Sequence, residues 1–368
     1  MLDLIKLKIL DLSRLLPGSY ATLILADMGA EVIKIEEPKR GDYAREFPPF
    51  IKGESVHFLN LNRNKKSVVL DLKTPQGQKA CHEMAAEADI IIESFRPGVC
   101  KRLNISYTDL KKINPKIIYA SISGYGQTGP YKDSPGHDIN YIALAGLLGI
   151  TGTQDTPVIP GIPIADIAGA FFTVIAILSA VINRNITGKG RYIDISLADS
   201  ALHAMSPVLG QYFIDKKTPK RSKGFLTGGF PCYGVYKTKD NKFLALGALE
   251  SKFWINFCQA IERTDLIEYQ FFDKAIKELN KIFKTKTQKE WIDIFKDKEV
   301  CITPVKNLKE IENDAHFKQR EMFIEIEHPL AGVLKQIGLP IKFSDITHGQ
   351  DFHPPCLGEH TIIRRFCR

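Results

Sequence analysis

From Lys8 to Ser121 the chain alternates short β-branched runs with helix-forming segments punctuated by glycine or proline, and this alternation limits the folds open to it. Lys8 to Leu12 reads as a strand, Gly18 to Met28 as a helix ending at Gly29, and Val32 to Ile35 as a second strand closed by Glu37-Pro38. Ser67 to Leu72 is a third strand, Pro75 to Ala88 a helix, and Asp89 to Glu93 a fourth strand with an isoleucine core. A short helix around Pro97 to Leu103 and a strand at Lys116 to Ser121 follow. Strand and helix in this order close into a parallel sheet wrapped by helices. No G-x-G-x-x-G turn follows any of the first four strands, and Gly124-Tyr125-Gly126-Gln127-Thr128-Gly129 runs straight into Pro130. The expected class is therefore α/β with Rossmann-like layering but without a nicotinamide site.

Beyond this region the apolar run Ile167 to Ile182, interrupted by Gly169, Thr173 and Ser179, falls short of the ~20 residues that cross a bilayer and reads as a buried helix. A basic turn, Thr187-Gly188-Lys189-Gly190-Arg191, leads to a strand at Tyr192 to Ile195 and a helix over Leu197 to Phe213. The pattern then changes to paired strands (Tyr233 to Tyr236, Lys242 to Leu246) and amphipathic helices with a lysine-rich face between Glu268 and Phe295. A length of 368 residues fits two domains. The boundaries expected are a large α/β domain over 1–215, a linker over 216–228, a smaller α+β domain over 229–330, and a segment over 331–368 that returns to the large domain.

The net charge of +8 points to an anionic ligand. The lysines are scattered and no arginine-and-aromatic stripe is present, which favours a phosphorylated small molecule over nucleic acid. Seven cysteines share no recurring spacing and no C-x-x-C pair, so reduced thiols in a cytoplasmic setting are expected. Met1 to Leu16 is broken by charges and lacks the apolar core of a signal peptide, and Arg365-Phe366-Cys367-Arg368 is neither a prenylation nor a peroxisomal signal.

Three side chains stand out for chemistry. His137, in Gly136-His137-Asp138-Ile139-Asn140-Tyr141, is a residue type that both takes and gives a proton near neutral pH, set in a sharply turned loop beyond a strand end. It is equally readable as a histidine bonded within a turn. Asp166, between Pro163 and the apolar helix, is either a helix cap or a carboxylate held ionised by the helix N-terminus. Glu250 closes the run Phe243 to Leu249 at a strand end, where a surface glutamate is also commonplace. The group His348, His353, Cys356 and His360 matches no recognised zinc spacing, and no metal site is expected. For an anion the candidates are Lys39 and Arg40, Arg63 and Lys65, and Arg96, all at strand ends or loops of one sheet and all readable as solvated charge.

Taken together, these stretches resemble the family III CoA-transferase superfamily (CaiB/BaiF type), and within it the α-methylacyl-CoA racemases. The superfamily resemblance rests on Asn62-Arg63-Asn64-Lys65-Lys66-Ser67, Phe95-Arg96-Pro97-Gly98-Val99, Ser123-Gly124-Tyr125-Gly126-Gln127-Thr128-Gly129-Pro130, Thr187-Gly188-Lys189-Gly190 and Gly358-Glu359-His360-Thr361, and covers essentially the whole chain. Gly136 to Tyr141, Ala165-Asp166-Ile167-Ala168-Gly169 and Gly247-Ala248-Leu249-Glu250 lean toward the racemases. The resemblance implies an interlocked homodimer, a CoA site that includes Tyr125 and Gly126, and a catalytic set of His137, Asp166 and Glu250, the last supplied by the second chain. It implies inversion of the α-carbon of a 2-methylacyl-CoA by proton transfer on both faces of an enolate, with backbone N–H groups at the start of the apolar helix stabilising the enolate oxygen. No cofactor beyond the CoA moiety of the substrate is needed. The alternative within the superfamily is a CoA-transferase in which Asp166 is the nucleophile; a non-catalytic CoA-binding protein is the third reading. One departure is Glu37, where the resemblance implies an arginine, and it shifts the expected phosphate contact to Lys39 or Arg40.

Overall fold

The computed structural model describes residues 1–2, 5–346 and 349–361. The chain divides into two compact units, one of residues 1–147, 161–207 and 316–368, the other of residues 148–160 and 208–315. The second unit therefore begins earlier than 229 and ends earlier than 330, and it takes in a stretch from the middle of the first.

The first unit is built on six parallel strands: β1 (Lys8–Leu12), β2 (Glu31–Glu36), β3 (Lys65–Val69), β4 (Ile90–Glu93), β5 (Ile118–Ser123) and β6 (Tyr192–Ser196). Their order across the sheet is β3-β2-β1-β4-β5-β6. This is the doubly wound order, in which the sequence reverses direction between β1 and β4 and leaves a crevice at their carboxyl ends. Continuous apolar runs such as Ile90-Ile91-Ile92 suit strands covered on both faces. On one face Leu10, Leu12, Ile33, Ile35, Ile91 and Tyr119 pack with Met84 and Ala85 of α2 (Pro75–Glu87). On the other lies α1 (Leu16–Asp27), which packs against the long α4 (Ile164–Thr187).

The strand β3 starts two residues before the expected Ser67, because Lys65 turns inward. Its Nζ is buried and donates to Ser19 O at 2.9 Å, Thr22 Oγ1 at 2.7 Å and Asn62 Oδ1 at 2.9 Å, with Asp11 Oδ2 at 3.4 Å. The outer edge of β3 is covered by the returning C-terminal segment: His360 N donates to Ser67 O at 2.9 Å and Val69 N to Thr361 Oγ1 at 2.9 Å. A hairpin of Phe323–His328 and Gly332–Ile337 also belongs to this unit.

The apolar helix differs from a buried one. It spans 24 residues and buries Ala165, Gly169, Ala170, Thr173, Val174, Ile177 and Ala180, while Phe171, Ile175, Ile182 and Ile186 are exposed. It is also the one helix among the described residues long and apolar enough to cross a membrane. The helix expected over Leu197 to Phe213 is two, Leu197–Ala204 (α5) and Ser206–Asp215, interrupted at Met205. Pro207 accounts for the break: it has no N–H to give the preceding turn and its ring crowds the residue before it.

The second unit holds a three-stranded antiparallel sheet of Tyr233–Lys237, Phe243–Gly247 and Ile302–Pro304, with Phe243–Gly247 in the centre. Helices Ser251–Ala260, Lys274–Phe283 and Gln288–Phe295 cover it. Its core is aromatic: Tyr236, Trp254, Phe257, Phe283, Trp291 and Phe295 are all buried, and the Tyr236 and Phe283 rings stack with centroids 4.9 Å apart.

Candidate active site

The carboxyl ends of β1 and β4 carry the first cluster of functional side chains. Arg14 N donates to Ser94 Oγ at 2.9 Å, which ties the loops after these strands together. The Arg14 guanidinium lies over the Tyr43 ring, 4.5 Å from its centroid, and 5.2 Å from that of Phe95, and Nη2 pairs with Glu37 Oε2 at 3.2 Å. Below it, Leu15 adopts φ 62°, a conformation unfavourable for a residue with a Cβ. Asp42 Oδ1 accepts from Leu15 N at 3.0 Å, and Lys34 Nζ bonds Asp42 Oδ2 at 2.8 Å and Ser13 O at 2.9 Å, so a buried ion pair fixes the mouth of the crevice.

The anion candidates separate into two groups. Arg96 is exposed at the rim of a cavity of about 300 Å³ lined by Glu93, Tyr107, Ser121, Gln127 and Tyr192. Lys39 and Arg40 are exposed beyond the end of β2, and Arg40 pairs with Glu46. Arg63 and Lys65 are different. Arg63 is buried and bound to Asp27, Nη2 to Oδ2 at 2.6 Å, and to Gln336 Oε1 at 3.0 Å. With Lys65 also interior, neither presents its charge to a ligand; both neutralise buried aspartates. Burial, only partly offset by Asp11, pulls the Lys65 ammonium down to about 7. Tyr125 and Gly126 line a further cavity of about 320 Å³ with Pro130, Tyr131, Asp194 and Ser196.

The second cluster is assembled by Tyr141. Its ring wedges between Gly124 and Gly136, where an added Cβ would lie 2.6 and 2.8 Å from ring atoms, and its hydroxyl donates to Gly136 O at 2.6 Å. Gly136 is thus needed for close packing rather than for a sharp turn at His137, whose backbone is extended (φ −129°, ψ 175°). His137 stands at the N-cap of α3 (Asp138–Leu144), its N–H donating to Asn140 Oδ1 at 3.0 Å, and it is exposed.

Asp166 does not cap α4. The N-cap is Pro163, and Asp166 lies in the first turn. The capping is done from α3: Asp138 Oδ1 accepts from Ala165 N at 2.7 Å and Asp166 N at 3.2 Å. These two N–H groups are therefore spent and do not serve as the enolate donors expected at this helix start. Helix N-termini favour an ionised carboxylate, yet burial, with the Asp138 charge alongside, pushes the Asp166 carboxyl up to about 7. Tyr141 feels the same surroundings: burial first, then the Asp166 charge, raise its hydroxyl to about 12. Helix pairing of α3 with α4 thus brings the loop of His137 and the carboxyl of Asp166 to adjoining helix starts.

Glu250 belongs to the second unit. It is exposed at the N-cap of the helix Ser251–Ala260 and makes no capping bond with its side chain. Among the described residues no three His, Cys, Asp or Glu side chains gather to hold a metal ion. His348, the first of the C-terminal histidines, lies outside the described residues. His360 instead accepts at Nδ1 from Ser67 N at 3.2 Å, fastening the tail to β3.

Asp138, Tyr141 and Arg14 were missed as site residues by reading the sequence. Asp138 carried a signal in its place beside His137; Arg14 had one in following the first strand of an α/β sheet.

A doubly wound sheet with Arg14, Tyr43 and Phe95 gathered at its switch point, and a carboxyl of raised pKa in the first turn of α4, has the layout of an α/β enzyme. The model of CoA-transferase family III matches residues 4–361, and the chain belongs to that family. It is 36% identical over 366 residues to the succinyl-CoA:glutarate CoA-transferase of Mus musculus, covering 96% of this chain and 84% of the relative. It is 31% identical over 375 residues to the alpha-methylacyl-CoA racemase of Homo sapiens, covering 98% and 92%. A solved CAIB/BAIF family protein from Brucella suis matches with a TM-score of 0.84 at 29% identity, over 96% of each chain. The family thus holds both transferases and racemases among this chain's relatives.

Proposed function

We propose that the protein inverts the α-carbon of 2-methylacyl-CoA thioesters. The observation that carries this reading is the Asp166 carboxyl, held at about 7 by burial and Asp138 and placed beside the loop of His137. A thioester carbonyl acidifies the adjacent C–H. One group removes that proton, the electron pair passes into a planar enolate, and the other group returns a proton to the opposite face. Each works best when its pKa lies near the working pH. His137 serves one face and Asp166 the other, and the group that begins protonated sets the direction of inversion.

Glu250 acts as the orienting partner of this pair, contributed by the second chain of an interlocked homodimer. The exposed apolar stripe of α4 (Phe171, Ile175, Ile182, Ile186) supports self-association, since a face of this kind rarely stays in water. Lys39, Arg40 and Arg96, with Tyr125 and Gly126, are the CoA contacts in this reading. The chemistry needs no group beyond the substrate's own CoA. Buried free thiols at Cys81, Cys100, Cys232 and Cys258 support a reducing, cytoplasmic setting.

The second reading is CoA transfer, supported by the likeness to transferases such as that of Mus musculus. Asp166 would then attack an acyl-CoA carbonyl, expelling CoA thiolate to leave a mixed anhydride, which CoA thiolate opens at the aspartyl carbonyl to give an enzyme thioester and the free acid. The loop Thr227-Gly228-Gly229-Phe230 is its candidate cover. A carboxyl at about 7 is only partly ionised at neutral pH, which suits a proton carrier better than a nucleophile.

The two are separated by incubating the protein with (R)- or (S)-2-methylacyl-CoA in D₂O without an acceptor acid. Deuterium should appear at C2, and His137→Ala should abolish it. No incorporation across several acyl chains, together with hydroxylamine trapping of an acyl group at Asp166, would transfer the assignment to the second reading.

A further inference from the structure

In doubly wound sheets that bind dinucleotides, the residue at the end of β2 distinguishes a free ribose from a phosphorylated one, and the same position is open to a nucleotide here. In the order β3-β2-β1-β4-β5-β6 the ligand lies across the crevice outside β1 and β4. A carboxylate at the end of β2 accepts from a free ribose hydroxyl, whereas an arginine near that place accommodates a phosphate ester on the ribose. Here the residue directly after β2 is Glu37. Its carboxylate is about one-quarter exposed, as is the side chain of Arg14, which holds it at 3.2 Å. Arg14 is in turn braced by the Tyr43 and Phe95 rings. The cation at the switch point is thus already partnered by an acid, and the two present opposite charges side by side.

The cations that follow on the same loop do not reverse this balance, and Arg96, across the crevice after β4, is left to the diphosphate with Arg14. Arg40 is exposed and engaged by Glu46, and Lys39 is exposed with its backbone at φ 74°. The preceding Glu36 is buried and bound by Arg45 at 2.8 Å, so it does not reach the crevice.

From this geometry we infer that Glu37, held by Arg14, is a specificity residue that reads an unesterified ribose, so that the protein accepts thioesters of 3′-dephospho-coenzyme A at least as well as those of coenzyme A. The inference rests on the acyl-CoA reading of the same crevice. Arg14 meets the diphosphate, and Glu37 accepts from the ribose hydroxyls. A 3′-phosphate, carrying a charge of about −1.5 to −2 at neutral pH, would face a carboxylate in place of a guanidinium.

The test is calorimetric titration of the full chain with free coenzyme A and with 3′-dephospho-coenzyme A. The wild type should bind the dephospho form as tightly as coenzyme A or more so. Glu37→Arg should tighten coenzyme A by about tenfold while leaving the dephospho form within about threefold, as a new bidentate phosphate contact implies. Glu37→Gln, which keeps the shape and removes the charge, should move the preference toward coenzyme A and decides the matter if the arginine variant does not fold. Wild-type preference for coenzyme A by tenfold or more, or a preference unchanged in both variants, overturns the role of Glu37 and leaves the acyl-CoA reading intact. If neither molecule binds, the acyl-CoA reading and this assignment fall together.

Discussion

Asp138 and Asp166 are joined by a hydrogen bond and opposed by their charges: Asp138 Oδ1 accepts from Asp166 N at 3.2 Å, while its carboxylate helps keep the Asp166 carboxyl protonated. One residue therefore both fixes the position of the acid and raises its pKa. Asp138→Asn keeps an accepting oxygen and removes the charge. The limb of the deuterium-exchange pH profile that belongs to Asp166 should move toward acid by about one pH unit. Asp138→Ala should in addition cost about 1 kcal/mol through the lost helix cap. A profile unmoved in the asparagine variant would show that the charge of Asp138 has no bearing on the acid.

The same carboxyl makes stability depend on pH. Its folded value of about 7 lies above the ordinary 3.8, so the folded chain binds the extra proton between the two. The contribution is fully present below about pH 4 and is lost as the pH rises through about 7. Asp166→Asn should flatten that part of the curve. Denaturant midpoints at pH 4, 5.5, 7 and 8 check it, and parallel curves for the two proteins would contradict the shifted pKa.

Arg63 is expected to matter for folding and not for ligand charge. Its guanidinium is buried against Asp27 with 4% and 2% of the two side chains exposed. Arg63→Ala leaves a buried carboxylate unpaired and should cost about 3–5 kcal/mol by denaturant titration. Affinity of the remaining folded protein for coenzyme A should stay the same. Loss of affinity without loss of stability would return Arg63 to the binding site.

The proposed supply of Glu250 across chains predicts complementation. Chains carrying Asp166→Asn and chains carrying Glu250→Ala should each be inactive, whereas co-expression gives mixed dimers with one intact site. Random pairing then restores about a quarter of wild-type activity. Co-expressed chains that stay inactive while pairing normally would place Glu250 in the same chain's site or outside the chemistry.

The apolar face of α4 gives an independent measure of pairing. Ile182→Glu puts a charge on a side chain that is 64% exposed in the single chain, so the isolated fold should tolerate it. Sedimentation should show a dimer for the wild type and a dissociating species for the variant. An unchanged sedimentation coefficient would remove this face from the interface.

The parallel sheet was legible because isoleucine runs such as Ile90-Ile91-Ile92 and the glycine after α1 are local signals. His137, Asp166 and Glu250 were singled out by residue type and local company, and their roles rest on the proposal above. What stayed hidden was set by distant partners. Asp138 reads as a neighbour of His137, but its bond to Ala165 spans 27 positions, which no local pattern reveals. Arg63 and Lys65 look like solvated loop charge because Asp27 and Asp11 lie far back in the chain. The assignment of 148–160 to the second unit leaves no trace in composition; it is fixed by contacts such as Arg221 Nη1 to Gly149 O at 3.0 Å. The break before Pro207, by contrast, has a local signal in the proline itself, which the reading of one helix over Leu197 to Phe213 passed over.

The tail that lies along β3 also sets an order of events. Ser67 and His360, joined across that edge, are 293 positions apart, and the whole of residues 208–315 comes between them. The second unit can gather its aromatic core while the first is still waiting for a piece of itself. During that interval β3 is an open strand, able to recruit another chain's backbone. The yield of native protein is therefore expected to follow how soon residues 352–361 arrive to close the seam, a race between loop closure within one chain and encounter between two.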